Sequence, residues 1–156
     1  MASSSEKRRY FISGVMIGSK HKLVEVEKDL HNQDYRARLA EIICRVDPQA
    51  EIVDPLDIVK AFAESKGISL DDLNLKDSLV AAALDEIVAI IPSCHVIISN
   101  LPEASMGSAV ELWEAKRSGL LIFTVSPMTS NWTIRAVAKR NFQDFDDLEQ
   151  NLAKHL

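Results

Sequence analysis

The segment HVIISNLPEASMGSAVELWEAKRSGLLIFTV, residues 95–125, contains the pattern that decides the fold. Residues 95–99 and 120–125 are almost continuously apolar, which is typical of strands that are covered on both faces of a sheet. Residues 108–118 between them have the composition of a helix, and Gly119 is the residue type that commonly ends one. Two buried strands joined through a helix run parallel, so this segment predicts a parallel sheet.

Strands and helices alternate in the same way along the rest of the chain. Short apolar runs predict further strands at residues 9–13 and 51–53, and an edge strand around Phe142. Regularly spaced apolar residues predict helices at 23–46, 56–65, 75–91, 133–139 and 144–154, the first of them open to interruption at His31 and Asn32. Residues 67–74 have the composition of a polar connection. The expected fold class is α/β, an open parallel sheet of about five strands with helices on both faces.

The composition is that of an ordinary globular protein. Of the 156 residues, 47% are apolar and 26% are charged, which predicts a single domain over residues 8–156 behind a disordered end at 1–7. The formal net charge of −5 without a basic stripe argues against duplex nucleic acid as a partner. No secretory leader pattern occurs, and no apolar run reaches the ~18 residues of a membrane span. We therefore expect a cytoplasmic or nucleocytoplasmic protein that does not enter membranes.

Common cofactor and catalytic motifs are missing from the sequence. The glycines at positions 14, 18, 67, 107 and 119 form neither GxGxxG nor a P-loop, and there is no GxSxG elbow. The histidines, cysteines and carboxylates show no metal-ligand spacing, so we expect neither a metal nor an organic cofactor. Ligands of open parallel sheets bind at the carboxyl ends of the strands, which makes the loops after Ser13, Ser99 and Val125 the places to examine.

The loop after Ser99 leads into the residues that are best suited to chemistry. Ser105-Met-Gly107-Ser108 lets backbone N–H groups at a helix N-terminus approach a phosphate or another anion. Glu111, about one turn further, can face the crevice, where a carboxylate serves as a nucleophile or stabilises a sugar cation. Each feature also has a purely structural interpretation, since Ser-x-Gly often caps a helix and a glutamate often complements the helix dipole.

Taken together, these residues resemble the nucleoside 2-deoxyribosyltransferase superfamily, which includes the 2′-deoxynucleoside 5′-monophosphate N-glycosidases. The segments that carry the resemblance are Tyr10-Phe-Ile-Ser-Gly14, the strand at 95–99, Glu103-Ala-Ser-Met-Gly-Ser-Ala-Val-Glu111-Leu, Gly119-Leu-Leu-Ile-Phe, and Ile134-Arg-Ala136 with Phe142. The resemblance covers both ends of the chain and is weak between residues 20 and 75.

The resemblance implies a flavodoxin-like sheet and an enzyme that acts on the N-glycosidic bond of a small nucleoside or nucleoside 5′-monophosphate. In that family the glutamate matching Glu111 attacks the anomeric carbon and forms a glycosyl-enzyme, which water or a second base resolves. Asp85 is the best match for the acid that assists the leaving base. No metal or organic cofactor is implied.

The same resemblance implies the substrate contacts. Ser105 and Gly107, with Ser108 beside them, would hold the sugar or its 5′-phosphate, and Phe11 and Gly14 match the end of the first strand at the substrate. Members of the family assemble so that one subunit completes the site of another, and Asn131 matches the position that is lent across the interface. The implied assembly is a homodimer or a higher homo-oligomer with shared sites.

Three other interpretations stay open at this point. The family commonly has a tyrosine at the end of the first strand, where this chain has Phe11, and this difference favours a non-catalytic nucleotide-binding or sensing module of the same fold. An NAD-cleaving relative would also use a glutamate on a helix. An interaction protein without a small ligand would fill the crevice after Ser99 with side chains.

Overall fold

Five strands form one sheet in the part of the chain that the structure, a computed structural model, describes, namely residues 7–16 and 33–156. They are β1 (Arg9–Gly14), β2 (Glu51–Val53), β3 (Val96–Asn100), β4 (Leu121–Val125) and β5 (Arg140–Phe142). Their order is β2-β1-β3-β4-β5, and every neighbouring pair is parallel. The predicted α/β class with a parallel sheet is therefore confirmed, and the strand expected around Phe142 lies at an edge.

Helices connect these strands within the described ranges. They are α1 (Asp34–Val46), α2 (Pro55–Ser65), α3 (Leu70–Asn74), α4 (Asp77–Ile90), α5 (Met106–Arg117), α6 (Trp132–Val137) and α7 (Phe145–Asn151). Short 3₁₀ turns at Ile91–Ser93 and Leu152–Lys154 follow α4 and α7. Among these described helices, none is long and apolar enough to cross a membrane.

Two sequence-based expectations fall partly or wholly outside the described residues. The helix predicted from residue 23 is seen only from Asp34 onward, and its proposed interruption at His31 and Asn32 is not among the described residues. The disordered end predicted at 1–7 also lies outside the described residues, except for Lys7.

The polar connection predicted at residues 67–74 is wrong, because this segment contains the helix α3. Ser69 begins the helix, since its side chain accepts a hydrogen bond from the backbone N–H of Asp72 at 3.0 Å. Leu73 then packs into a small core with Ala63 and Ala83. Two spaced leucines and a capping serine are too short a pattern to distinguish from a loop by periodicity.

The two faces of the sheet are covered by different helices. On one face, Tyr10 and Ile12 pack into a core with α1 and α7. On the other face, Phe11 and Ile97 pack into a core to which α4, α5 and α6 contribute. Because side chains alternate along a strand, Ser13 points to the same face as Phe11, which is the face that α5 covers.

The strand order places the direction reversal of the chain between β1 and β3. In open parallel sheets the crevice beyond the carboxyl ends of the strands at this point is the usual ligand site. The residues that end β1 and β3, and those that begin α5, are therefore the ones to examine for function.

Candidate functional site

The side chain of Glu111 points from α5 towards the carboxyl end of β1. Ser105 fixes where α5 begins, because its Oγ accepts a hydrogen bond from the backbone N–H of Ser108 at 3.3 Å. This start puts Glu111 in the second turn, where only 5% of the residue is exposed. Ser13 Oγ donates a hydrogen bond to Glu111 Oε2. The glutamate predicted to face inward is thus buried at the end of β1.

A charged pair from two other elements lies next to this carboxyl group. Arg36, in the first turn of α1, contacts Asp54 with 2.5 Å between Nη1 and Oδ1, and their side chains are only 6% and 15% exposed. Asp54 directly follows β2 and also caps α2, since its Oδ1 accepts from the backbone N–H of Leu56 at 2.8 Å. Both charges act electrostatically on Glu111.

Burial raises the pKa of Glu111 from an ordinary 4.5 to about 7. The hydrogen bond from Ser13 and the positive charge of Arg36 act in the opposite direction, and the negative charge of Asp54 adds to the increase. A carboxyl group with a pKa near neutrality changes its charge in the range in which most enzymes work. Such groups are concentrated at functional sites.

Tyr35 places a phenol against the backbone at the end of β1. A Cβ atom built on Gly14 would lie 2.5 Å from Tyr35 Oη, so only glycine fits beside this ring. The Arg36 guanidinium lies 5.0 Å from the centroid of the same ring. Burial strongly raises the pKa of Tyr35, and Glu111 contributes to the increase, so the phenol is a neutral donor next to the carboxyl group.

Among the residues that the structure describes, three buried polar atoms near Glu111 have no partner at good hydrogen-bond geometry. They are Tyr35 Oη, Arg36 Nη2 and Ser108 Oγ, and Ser108 lies one helical turn before Glu111. Buried polar groups in native proteins are nearly always paired, so these atoms need water, an ion or a polar ligand as a partner. Ser13, Glu111, Tyr35, Arg36, Asp54 and Ser108 are called the glutamate cluster below.

Replacing Gly14 by alanine should displace Tyr35 and lower the free energy of unfolding by about 1–3 kcal/mol, measured by urea denaturation. The reason is the overlap between the new methyl group and the Tyr35 hydroxyl. Gly107→Ala is the matched control, because a Cβ atom at Gly107 meets nothing within 4 Å. It should leave stability unchanged or raise it by up to ~1 kcal/mol. Equal stability of the Gly14→Ala variant and the wild type would contradict the close approach.

Other residues predicted for the site lie apart from the glutamate cluster. Ser105 and Asn131 line a cavity of about 340 Å³ that is bounded by Leu101, Met128 and Ile134 and opens on a different face of α5 from Glu111. Asn131 Oδ1 accepts from the backbone N–H of Ile134 at 3.2 Å and so caps α6. The structure brings Ser105 and Asn131 of one chain together, but not against the carboxyl group.

Phe11, Gly107 and Asp85 occupy three different environments. Phe11 is fully buried in the apolar core, two residues before Ser13. Gly107 is exposed in the first turn of α5. Asp85 is exposed on α4, and the acidic side chain that acts on Glu111 within the described ranges is Asp54.

Four members of the cluster were not predicted from the sequence. Ser13 and Asp54 had a usable signal, because each is a polar residue at the carboxyl end of a predicted strand. Tyr35 and Arg36 had none, since only the packing of α1 against β1 brings them to the site. Within residues 7–16 and 33–156, no group of three histidine, cysteine or acidic side chains could hold a metal ion.

Comparison with solved structures identifies proteins of the same fold. A 2-deoxyribosyltransferase from Bacillus psychrosaccharolyticus matches with a TM-score of 0.57 and 12% identity over 90% of each chain. A conserved protein from Enterococcus faecalis V583 matches with a TM-score of 0.57 and 14% identity over 97% of this chain and 100% of its own. A CMP N-glycosidase from Clostridium botulinum matches with a TM-score of 0.50 and 15% identity over 93% of this chain and 98% of its own.

No family model and no curated protein matches the sequence. At identities of 12–15% the structural matches show the shared fold. The fold expected from the resemblance to the nucleoside 2-deoxyribosyltransferase superfamily, an α/β flavodoxin-like sheet, is thereby confirmed.

Proposed function

We propose that this protein cleaves or transfers the N-glycosidic bond of a small nucleoside or nucleoside 5′-monophosphate, with Glu111 as the nucleophile. The observation that carries the proposal is the position of Glu111: a buried carboxyl group at the carboxyl end of β1 that accepts a hydrogen bond from Ser13, near polar atoms that lack a partner among the described residues. A 2-deoxyribosyltransferase and a CMP N-glycosidase among the proteins of the same fold add support.

The chemistry needs only a carboxylate and donors for the sugar. One oxygen of ionised Glu111 attacks the anomeric carbon, the bond from that carbon to the base breaks, and the base leaves with the electron pair and takes up a proton from solvent. The transition state resembles an oxocarbenium ion, which the negative carboxylate stabilises. Water then hydrolyses the glycosyl ester, or a second base captures the sugar. No metal or organic cofactor enters this scheme.

The polar atoms of the glutamate cluster are the proposed contacts to the sugar. Ser108 Oγ and Tyr35 Oη are buried and have no well-aligned partner among the described residues, so a sugar hydroxyl that reaches them would satisfy them. Tyr35 is the proposed counterpart of the tyrosine that the family commonly has at the end of the first strand, where this chain has Phe11. The exposed position of Asp85 gives no support to its predicted role as the acid. Asp54, whose pKa burial raises, is the described acidic side chain that acts electrostatically on Glu111.

The direct test is incubation with a panel of ribo- and deoxyribonucleosides, their 5′-monophosphates and NAD, with separation of the free base by chromatography. Release of a free base from a nucleoside or a monophosphate supports the proposal, and adding a second base distinguishes transfer from hydrolysis. Release of nicotinamide alone would favour the NAD-cleaving alternative. No release from any compound by folded protein would refute the proposal.

We also propose that the protein is a homo-oligomer whose contact surface is formed by α5 and the start of α6. Met106 and Trp132 are 90% and 84% exposed, and Val110 and Trp113 continue the same apolar surface along α5. The two tryptophans and Met106 present on the order of 400 Å² of apolar area, about half of the ~800 Å² per partner in a standard interface. Patches of this size on monomers commonly mark an interaction site.

A second copy is the occupant that this surface fits best. A two-fold interface must be self-complementary, and the exposed Trp132 stands beside the 340 Å³ apolar cavity that Ser105 and Asn131 line. The Trp132 side chain of each copy would enter the cavity of the other. Asn131 and Ser105 would then lie at the interface, as expected for sites that are shared between subunits.

Trp132→Glu should convert the protein to a monomer, measured by sedimentation velocity over a range of concentrations. The physical reason is the cost of burying a carboxylate in an apolar cavity. Leu75→Glu is the matched control, because Leu75 is a similarly exposed apolar residue, 78% accessible, outside this surface. A wild type that sediments as a monomer, or an assembly that Trp132→Glu does not affect, would contradict the proposal.

A further inference from the structure

A row of buried hydroxyl groups crosses the sheet near the carboxyl ends of its strands. Ser13, Ser99 and Thr124 are register partners on β1, β3 and β4, and all three are fully buried. Two residues earlier on the same face, Phe11 and Ile97 belong to the apolar core. Burying hydroxyls beside such a core is costly unless each is hydrogen-bonded, so the direction of their hydrogen bonds is informative.

The hydrogen bonds divide this row into two parts. Ser99 Oγ donates to Ser13 Oγ at 3.1 Å, and Ser13 Oγ in turn donates to Glu111 Oε2. Thr124 Oγ1 donates in the other direction, to Asn141 Oδ1 on β5 at 2.7 Å. The two serines therefore form a chain of donors that ends on one oxygen of the carboxyl group, and the threonine is not part of it.

We propose that Ser13, oriented by Ser99, is a positioning residue that holds Glu111 Oε2, leaves Oε1 to react, and stabilises the ionised carboxylate. The catalytic meaning of this inference rests on the proposed function, whereas the effect on ionisation does not. A hydroxyl that donates to a carboxylate favours its charged form. Ser13 Oγ also accepts a hydrogen bond from Ser99 Oγ, and this strengthens the bond from Ser13 to the carboxylate, since linked hydrogen bonds polarise one another.

The remaining groups that face Glu111 belong to other elements and are not changed by substitutions at the two serines. Arg36 on α1 favours the ionised carboxylate, and Asp54 before α2 disfavours it. Tyr35 on α1 is coupled to the same charge. Among the groups that lower the pKa of Glu111, the hydrogen bond from Ser13 is the strongest. Its removal should therefore produce a measurable increase.

The test is titration of the Glu111 carboxyl carbon by ¹³C NMR in the full chain, with Glu111→Gln identifying the resonance. Ser13→Ala should raise the pKa of Glu111 by about one pH unit or more, as expected for a lost hydrogen bond to a charged group. Ser13→Cys, which keeps a weak donor of similar shape, should raise it by less, and so should Ser99→Ala. Thr124→Val is the matched control, equally buried in the same row, and should leave the titration unchanged.

Two results would overturn the inference. One is an unchanged titration of Glu111 in both Ser13 variants, of which Ser13→Cys best preserves packing. The other is an equal shift in Thr124→Val, which would indicate a general effect of disturbing the sheet. If base release is detected, the low-pH limb of the kcat/KM profile should shift to higher pH by the same amount as the pKa of Glu111 measured by NMR. If no compound releases base but the NMR shift is present, the proposed function fails while the control of ionisation by Ser13 stands.

Discussion

Glu111→Gln should reduce the release of free base by about three orders of magnitude or more, because an amide oxygen cannot form the glycosyl ester. The substitution keeps the shape of the side chain, and Ser13 Oγ can still donate to the amide oxygen. The measurement is the rate of base release under single-turnover conditions, with the best compound of the nucleoside and nucleotide panel. A loss of kcat without loss of binding would place the defect in the chemical step.

The matched control is Glu114→Gln, one turn further along α5. Glu114 is partly exposed and pairs with Arg117 at 3.8 Å. Its substitution by glutamine removes the same charge from the same helix and leaves the glutamate cluster unchanged. It should leave base release within about twofold of the wild type, which corresponds to less than ~0.5 kcal/mol. A Glu111→Gln variant as active as Glu114→Gln would rule out Glu111 as the nucleophile. Nucleotide binding by calorimetry without any turnover in the wild type would instead favour the non-catalytic module.

The pH dependence of the wild type follows from the same residue. Glu111 attacks only when ionised, and its pKa lies at about 7, so base release should rise as the pH increases through neutrality. When kcat/KM is measured against pH, the midpoint of this rise reports the pKa of Glu111 in the free enzyme. This links the buried environment of the carboxyl group to the conditions under which the enzyme works.

The elements of the fold could be predicted because their signals are local. The strands β3 and β4 are continuous apolar runs, and Gly119, which ends the helix between them, has a φ of 77° that suits glycine. The inward position of Glu111 was also predictable, since a helix that follows a buried parallel strand starts at the carboxyl edge of the sheet and packs back over one of its faces. Helix α3 was missed because a helix of five residues leaves almost no periodicity.

The neighbours of Glu111 could not be predicted, because they come from elements that are distant in the sequence. Arg36 and Asp54 reach the site from α1 and from the end of β2, and their pairing depends on how the sheet orders its strands. Asp85 was placed by resemblance, and the sequence pattern of α4 does not say which face of that helix turns outward. Local patterns determine elements, whereas the assembly of a polar cluster is a property of the packed fold.

Glu111→Gln should also stabilise the protein at alkaline pH, in a manner that depends on the raised pKa. The folded protein holds a proton on Glu111 up to about pH 7, and the unfolded chain releases it near 4.5. Between these values the folded state binds more protons, so the free energy of unfolding falls as the pH rises. The difference between a pKa of 4.5 and one of about 7 corresponds to about 3 kcal/mol in the free energy of unfolding, and this stability is lost once the pH exceeds 7. Because glutamine carries no charge, the free energy of unfolding of the variant does not decrease in this way as the pH rises.

The measurement is urea denaturation of the wild type, Glu111→Gln and Glu114→Gln at pH 4 and pH 8. The advantage of Glu111→Gln over the wild type should grow by about 3 kcal/mol between the two pH values, because the other titrating groups are common to both proteins and cancel. Glu114→Gln should show no comparable trend, since its carboxyl group is partly exposed. An advantage that is the same at both pH values would mean that Glu111 titrates normally, and the buried carboxyl group would then have to be solvated in solution.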